Sequence, residues 1–414
     1  MPRRRLGRLC GLFGALLSGA AIAGCSLQAE VPQVLYIAVG TSPDQVINGQ
    51  LHVEFGERLN QLEQGFRQLH PHTSFRFSLY PETELLEAMR HRQWAGLEPD
   101  LLFVTGRTAH LLAAAGVTRP FPVTPELKSR FDPGLARLVN LDDGRLTGLP
   151  TLQQVAVSCF DRQRLPTAPA TVEALLKASA AGVPIGLSLN SESLFWTVGS
   201  LDALPAMLRV IEGRPVTAAD RASLTGWLRW LADASSQQRV TFYGDQEQAE
   251  KQLQQGRLAW IPCRSTTLPR LIKAMGSRLG VAPLPDGART SASPVNHIRV
   301  LALGSNSTRR ARAAAIAFGS FTVNPLVQRA MTVGTFTVLP VNRHVSIPVS
   351  SSQTLAALVR ARDQGEQTNQ LRRMLRPLDP RPQQMQALVT DLVFGEVAPE
   401  AAGDRLIQIL QGKR

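Results

Sequence analysis

The chain has 414 residues, of which 44% are hydrophobic and 19% charged, a balance that fits two globular domains and excludes a disordered polymer. Its formal net charge is +13, but the positive residues are scattered, with small clusters only at Arg309, Arg310, Arg312 and at Arg372, Arg373, Arg376, Arg381. No nucleic-acid-binding motif accompanies them, so they read as solvated helix faces and no nucleic-acid partner is expected.

Arg3, Arg4, Arg5 and Arg8 open the chain, an apolar stretch runs from Leu9 to Ile22, and Ala23-Gly24 precede Cys25. A charged start, a short apolar middle and small residues before a cut describe a secretory signal. The apolar run is shorter than the roughly 20 residues of a spanning helix. The ending resembles a bacterial lipobox, which implies cleavage after Gly24 and lipid on Cys25. Residues 1–24 are then a lipoprotein signal peptide and 25–32 a tether. The expected location is the periplasmic or extracytoplasmic face of a membrane, with the lipid as anchor. Of the four cysteines, Cys10 lies in the signal and Cys25 takes the lipid, leaving Cys159 and Cys263. An oxidising compartment permits them to pair, but two cysteines are no disulfide framework, and Cys159 in a buried strand equally fits a free thiol.

Strands and helices then alternate. Val34–Val39 is an apolar strand. Phe55, Leu59, Leu62, Phe66 and Leu69 recur at helical steps, and His70-Pro71 stops that helix. Phe75, Phe77 and Leu79 alternate as in a half-buried strand. A helix carries Leu85, Leu86 and Met89, Leu101–Val104 is a strand, and Leu111–Ala115 is a helix ended by Gly116. This order implies a mostly parallel sheet with helices on its faces. A second α/β run begins near Gly148-Leu149-Pro150, with strands at Val155–Phe160, Pro184–Leu189, Leu258–Ile261 and Leu279–Leu284. Thr171 and Thr217 are candidate helix caps, the latter with Asp220 at the third helical position. Ile298–Leu303 is a strand, Ser307 or Thr308 starts a helix, and Asn324-Pro325 interrupts it. The tail from Thr354 is helical, with Pro399 just inside its last helix.

Several segments occur in an order that resembles the extracellular solute-binding proteins of ABC importers, the branch that contains maltose-binding protein. They are Phe66-Arg67-Gln68-Leu69-His70-Pro71, Glu98-Pro99-Asp100-Leu101, Gln255-Gly256-Arg257-Leu258-Ala259-Trp260, Gly280-Val281-Ala282-Pro283-Leu284-Pro285-Asp286-Gly287, Leu301-Ala302-Leu303, and Gly334 with Pro340-Val341. No single piece is specific; their fixed order carries the resemblance. It implies a two-lobed α/β fold of the periplasmic-binding-protein type II class, each lobe a mostly parallel sheet flanked by helices, with the ligand cleft between the lobes. Residues 33–151 and 291–340 would form lobe 1, and 152–290 and 341–414 lobe 2. The chain would cross near Leu149–Gln153, Asp286–His297 and Leu339–Arg343.

Contacts to a solute should come from loops after strands in both lobes. In lobe 1 these are Thr41, Ser42 and Asp44 after the first strand, and Thr105 and Arg107 after the third, with turn and cap chemistry as the alternative for each. Arg107 is the best polar candidate because its fork can hold carboxylate, phosphate or vicinal hydroxyls. Gln153 and Gln154 lie near the first crossing and are expected to face the cleft. In lobe 2, Glu192, Phe195 and Trp196 follow a strand and match the family's loop that brings aromatics to a sugar; core packing at helical spacing is the alternative. Arg264 and Ser265 form the second such loop. There Cys263-Arg264 stands where sugar binders often place tryptophan or glycine, which weakens a sugar assignment.

No nucleophile elbow, zincin motif or paired-cysteine spacing occurs, and the three tyrosines are too dispersed for a ferric-ion site. Neither enzyme activity, cofactor nor metal is expected. The expected function is capture of a small polar solute, a sugar, glycoside or polyol, and delivery to an ABC permease by a monomeric lipoprotein. The competing reading is a sensory or scaffolding protein that reuses the fold without transport.

Overall fold

A computed structural model of the chain describes residues 32–41, 45–141, 143–375 and 379–412. The expected signal, Cys25 as the expected lipid site, and the candidates Ser42 and Asp44 lie outside them. Among the described residues twelve strands form two sheets. Lobe 1 holds β1 (Gln33–Thr41), β2 (Thr73–Pro81), β3 (Leu101–Thr105), β4 (Thr118–Arg119), β5 (Leu149–Gln154), β11 (His297–Gly304) and β12 (Leu339–Pro340). Its order is β12-β5-β11-β3-β1-β2, with β4 also on β11. Lobe 2 holds β6 (Ala156–Asp161), β7 (Ile185–Ser188), β8 (Val240–Tyr243), β9 (Trp260–Arg264) and β10 (Leu279–Ala282), in the order β10-β6-β9-β7-β8.

Both sheets are mixed, which corrects the expectation of mostly parallel sheets. β1 pairs parallel with β2 and β3, whereas every pairing of β11 and β12 is antiparallel. In lobe 2, β7 is parallel to β8 and β9, but β6 runs against β9 and β10. The reason is topological. Right-handed βαβ units give parallel neighbours, but a strand that enters a sheet from the other lobe arrives at the opposite end and lies antiparallel.

Local chemistry sets the helix starts. Helix α1 (Gly49–Arg67) begins where the Asn48 side chain accepts from the Leu51 amide. The amide of Thr108 donates to Thr105 at the start of α2 (Gly106–Ala114). Thr217 and Asp220 form a complete capping box on helix Ala218–Ser235. Helix α3 (Leu268–Met275) packs in lobe 2, and α4 (Arg309–Thr322) and α5 (Pro325–Thr335) in lobe 1, the last two capped by Thr308 and Asn324. Asn324-Pro325 therefore ends one helix and starts another. The tail helices Arg381–Val393 and Pro399–Leu410 pack with Ala218–Ser235 over lobe 2. Gly287, in the segment that carries the family resemblance, has no alternative: a Cβ there would collide with the Ser200 carbonyl oxygen.

The crossings fall slightly later than the sequence suggested. β5 stays in the lobe 1 sheet through Gln154, and Val155 enters a lobe 2 core with Val157 and Ile261. Ala292 belongs to the lobe 2 core and Ser293 donates to the Phe195 carbonyl, so lobe 1 resumes only at His297. On the return, Val341 is in the lobe 1 core and the Arg343 amide donates to Arg130, so lobe 1 extends past residue 340. Buried amides hold these links. Gln328 on α5 donates to the Thr151 and Thr322 carbonyls and accepts from the Val341 and Asn342 amides. Asn296 donates to Ala361 at 2.9 Å and accepts from the Ala156 amide at 3.3 Å.

Cys159 on β6 and Cys263 on β9 form a disulfide, with Cα atoms 5.8 Å apart, which settles the alternatives left open by the sequence. Both are buried in lobe 2. The bond closes a loop of 104 residues, for which chain entropy gives about 4–5 kcal/mol, with measured values usually lower. Replacing both cysteines by alanine should lower the unfolding free energy by about 2–5 kcal/mol, read by urea denaturation of the mature chain. A change within about 0.5 kcal/mol would mean that the bond contributes nothing beyond packing.

Candidate functional site: a cleft between the lobes

The strand ends of lobe 1 are organised by a buried ion pair. Arg299 on β11 reaches across the sheet and donates to Glu82 Oε1 at 2.7 Å, to the Gly40 carbonyl at 2.6 Å and to the Phe103 carbonyl at 2.8 Å. Its guanidinium also lies 4.6 Å from the Phe103 ring centroid, a cation–π contact. Glu82 accepts from the Thr105 amide at 2.8 Å and from the hydroxyls of Thr105 and Thr108 at 2.6 and 2.5 Å. The Arg299 and Glu82 side chains are 5% and 10% exposed, so this charge pair is sequestered, densely hydrogen-bonded, and leaves Arg299 Nε without a partner. Burial alone would raise the Glu82 pKa; the Arg299 charge and the bonds from Thr105 and Thr108 outweigh it and hold the carboxylate below its ordinary range. Gly40 is required here, because a Cβ would lie 2.5 Å from Glu82 Cγ.

The lobes meet around this floor. The Val46 amide, in lobe 1, lies 3.5 Å from Glu247 Oε2 at the start of helix Gln246–Gln254 in lobe 2. Arg270 on α3 stands 3.9 Å from Glu54 on α1 and 3.9 Å from Glu250 of its own lobe. His297, at the start of β11, stands 3.2 Å from Glu192 of lobe 2. A cavity of about 490 Å³ has Thr41, Gln45 and Arg299 of lobe 1, Gln154 of the first crossing, and Thr266 and Arg270 of lobe 2 in its wall. A smaller recess lies at the hinge, walled by Gln154, Glu192, Arg264 and His297.

The sequence candidates divide between these places. Thr41 lines the large cavity, and Glu192 and Arg264 line the hinge recess. Arg107 is half-buried, and its charge helps lower the Asp379 pKa, behind the larger effect of the Arg381 hydrogen bond. Five others are committed elsewhere. Thr105 spends its hydroxyl on Glu82 and on capping α2. Gln153 is buried in the first crossing, its amide 3.5 Å from the Pro340 carbonyl. Ser265 is fully buried and accepts from the Val155 amide at 3.2 Å. Phe195 and Trp196, expected as stacking groups, are core residues instead, with Trp196 1% exposed and packed edge-on against Trp260 at 6.0 Å. Gln154, named with Gln153 at the first crossing, lines both recesses, and the residues missed from the sequence are Glu54, Arg58, Arg270, His297 and the Glu82–Arg299 pair. Helix periodicity put Glu54 and Arg58 four residues apart on one face, but nothing local pointed that face at lobe 2.

Glu82→Ala should leave Arg299 buried without its counter-ion and cost about 3–5 kcal/mol of stability, measured by chemical denaturation. The pH dependence has a fixed sign. A carboxylate whose folded pKa is depressed contributes stability above its unfolded pKa, about 4.3, and loses it as pH falls through the folded value. The unfolding free energy of the wild type should therefore drop between pH 5 and 3, and the drop should be smaller in Glu82→Gln. Equal slopes for the two proteins would remove Glu82 from the cause.

Solved structures with the same architecture bind solutes. The GacH receptor of Streptomyces glaucescens, known unliganded and with acarbose, is 17% identical, with a TM-score of 0.74 over 93% of this chain and 100% of that one. The maltose-bound MalE3 of T. maritima is 16% identical, with a TM-score of 0.68 over 92% and 99%. A solute-binding protein of Thermotoga lettingae bound to α-D-tagatose is 17% identical, with a TM-score of 0.67 over 91% and 100%. At this identity they establish the fold. No curated protein matches the chain. The model of the bacterial extracellular solute-binding protein family matches residues 64–357, well over half of the sequence. With two lobes, three crossings and a cleft lined from both sides, the chain belongs to the bacterial extracellular solute-binding proteins.

Proposed function

We propose that this protein is the substrate-binding component of an ABC importer. It captures a small polar solute, of the sugar, glycoside or polyol class, between its lobes and delivers it unaltered to a membrane permease. The observation that carries this reading is the family match over a chain whose two lobes both line one cavity. A clamp of this kind needs no reacting group. It needs a ligand that prefers the closed arrangement, because a ligand shifts a two-state equilibrium only by its difference in affinity for the states. The signal-like start, Cys25 and the extracellular family support an exported protein tethered through lipid, acting as a monomer. The disulfide supports an oxidising compartment.

Small-angle scattering of the mature chain should show a smaller radius of gyration when its co-purified solute, identified by mass spectrometry, is added back. Arg107→Ala and Arg264→Ala should each weaken that solute by about tenfold, the size of one lost charge-assisted hydrogen bond, with unchanged circular dichroism. No compaction with any solute, or wild-type affinity in both variants, would sink the clamp or the assignment of these residues, respectively. Labelling with radioactive palmitate should be lost in Cys25→Ser if that residue carries the lipid.

A further inference from the structure

The 490 Å³ cavity is more than a polar cleft needs. From the lobe boundary it runs into lobe 1, between α1 and α5, over the face of the sheet. Its size is that of a small-molecule site. Phe55, Leu62, Phe321, Val327 and Met331 line it, and all five are only half-buried. Phe55, Leu62 and Phe321 rest one side on the lobe 1 core, Phe55 beside Phe103 and Phe321 beside Phe66, and turn the remainder of their apolar surface to the cavity. At the end of the cavity that meets lobe 2 stand two arginines, Arg58 on α1 and Arg270 on α3. Arg58 makes no hydrogen bond or ion pair with the described residues. Arg270 approaches Glu54 and Glu250 only to 3.9 Å, beyond hydrogen-bond range, and its Nε is buried without a partner. Burial lowers the Arg58 pKa, and the neighbouring Arg270 charge lowers it further against the pull of Glu54. Two forks from opposite lobes thus face one another with unspent donors.

We propose that the cargo is an amphipathic anion, whose apolar segment fills the lobe 1 cavity and whose carboxylate or similar group lies between Arg58 and Arg270. The inference rests on the solute-binding reading and narrows it: within that class, an acidic glycoside with an apolar aglycone has the required parts. The anion satisfies both guanidiniums and relieves their repulsion. Because one arginine belongs to each lobe, the same contact favours closure.

The test is calorimetric titration of the mature chain with four probes: n-octyl β-D-glucuronide, n-octyl β-D-glucoside, glucuronate and maltose. Octyl glucuronide should bind at least about tenfold more tightly than octyl glucoside or glucuronate. Arg58→Ala and Arg270→Ala should each weaken it by about tenfold more than they weaken octyl glucoside. Ala330→Phe, which places a ring in the cavity from the exposed side of α5, should reduce octyl glucuronide to the affinity of glucuronate. Equal affinity for octyl glucuronide and glucuronate, or no effect of either arginine, overturns the inference. Binding of maltose alone also overturns it and leaves the solute-binding reading standing. Binding of none of the four overturns it as well, and the scattering experiment with co-purified solute then decides the broader reading separately.

Discussion

The Arg299–Glu82 pair is the constraint on which the cleft is built. One side chain from β11 ties together the ends of β1 and β3 and the residue that follows β2. Those are the strand ends from which a binding loop of lobe 1 must project. A buried ion pair is a poor source of net stability, since desolvation offsets much of its attraction. Its value lies in geometry. Both terminal nitrogens of Arg299 have fixed acceptors in Glu82, Gly40 and Phe103, and Glu82 also accepts from Thr105 and Thr108. The floor is therefore rigid before any solute arrives, and adaptation is left to the opposite lobe and to the cavity beyond α1.

Lobe 2 is stiffened differently. The disulfide joins β6 and β9 near the centre of its sheet, and large apolar side chains pack on both faces. Between these two firm bodies lie three links whose backbone groups are satisfied by buried Gln328, Asn342 and Asn296. Amide side chains can hold a link without welding it, because each bond is short-range and individually modest. Away from the His297–Glu192 approach at the hinge, the contacts of Val46 with Glu247 and of Glu54 with Arg270 are long and partly solvated. Such contacts are weak, which suits a device that must both open and close.

Much of the architecture was legible in the sequence. Helical spacing placed α1, threonine caps fixed several starts, and the order of short motifs carried the two-lobed fold. Strand direction was not legible, because the alternation of apolar residues is the same in parallel and antiparallel pairs, and only the route of the chain between lobes decides it. The site was less readable. Trp196 and Phe195 occupy positions that suit either stacking on a ligand or core packing, and the choice depends on Trp260, which lies over 60 residues away. The Arg299–Glu82 pair joins residues 217 positions apart, a distance at which no local pattern speaks. Thr105 was found because it ends a strand, but that same position recruits it as a cap.

The strand order also bears on how the molecule is made. β11 lies between β3 and β5, both of which are synthesised long before it. Until residues 297–304 arrive, the sheet of the first lobe has a gap in its middle and two raw edges beside it. The second lobe in turn waits for the helices at the very end of the chain. A polypeptide delivered from its N-terminus must therefore remain unfinished for most of its passage, with long-range pairing deferred to the last step.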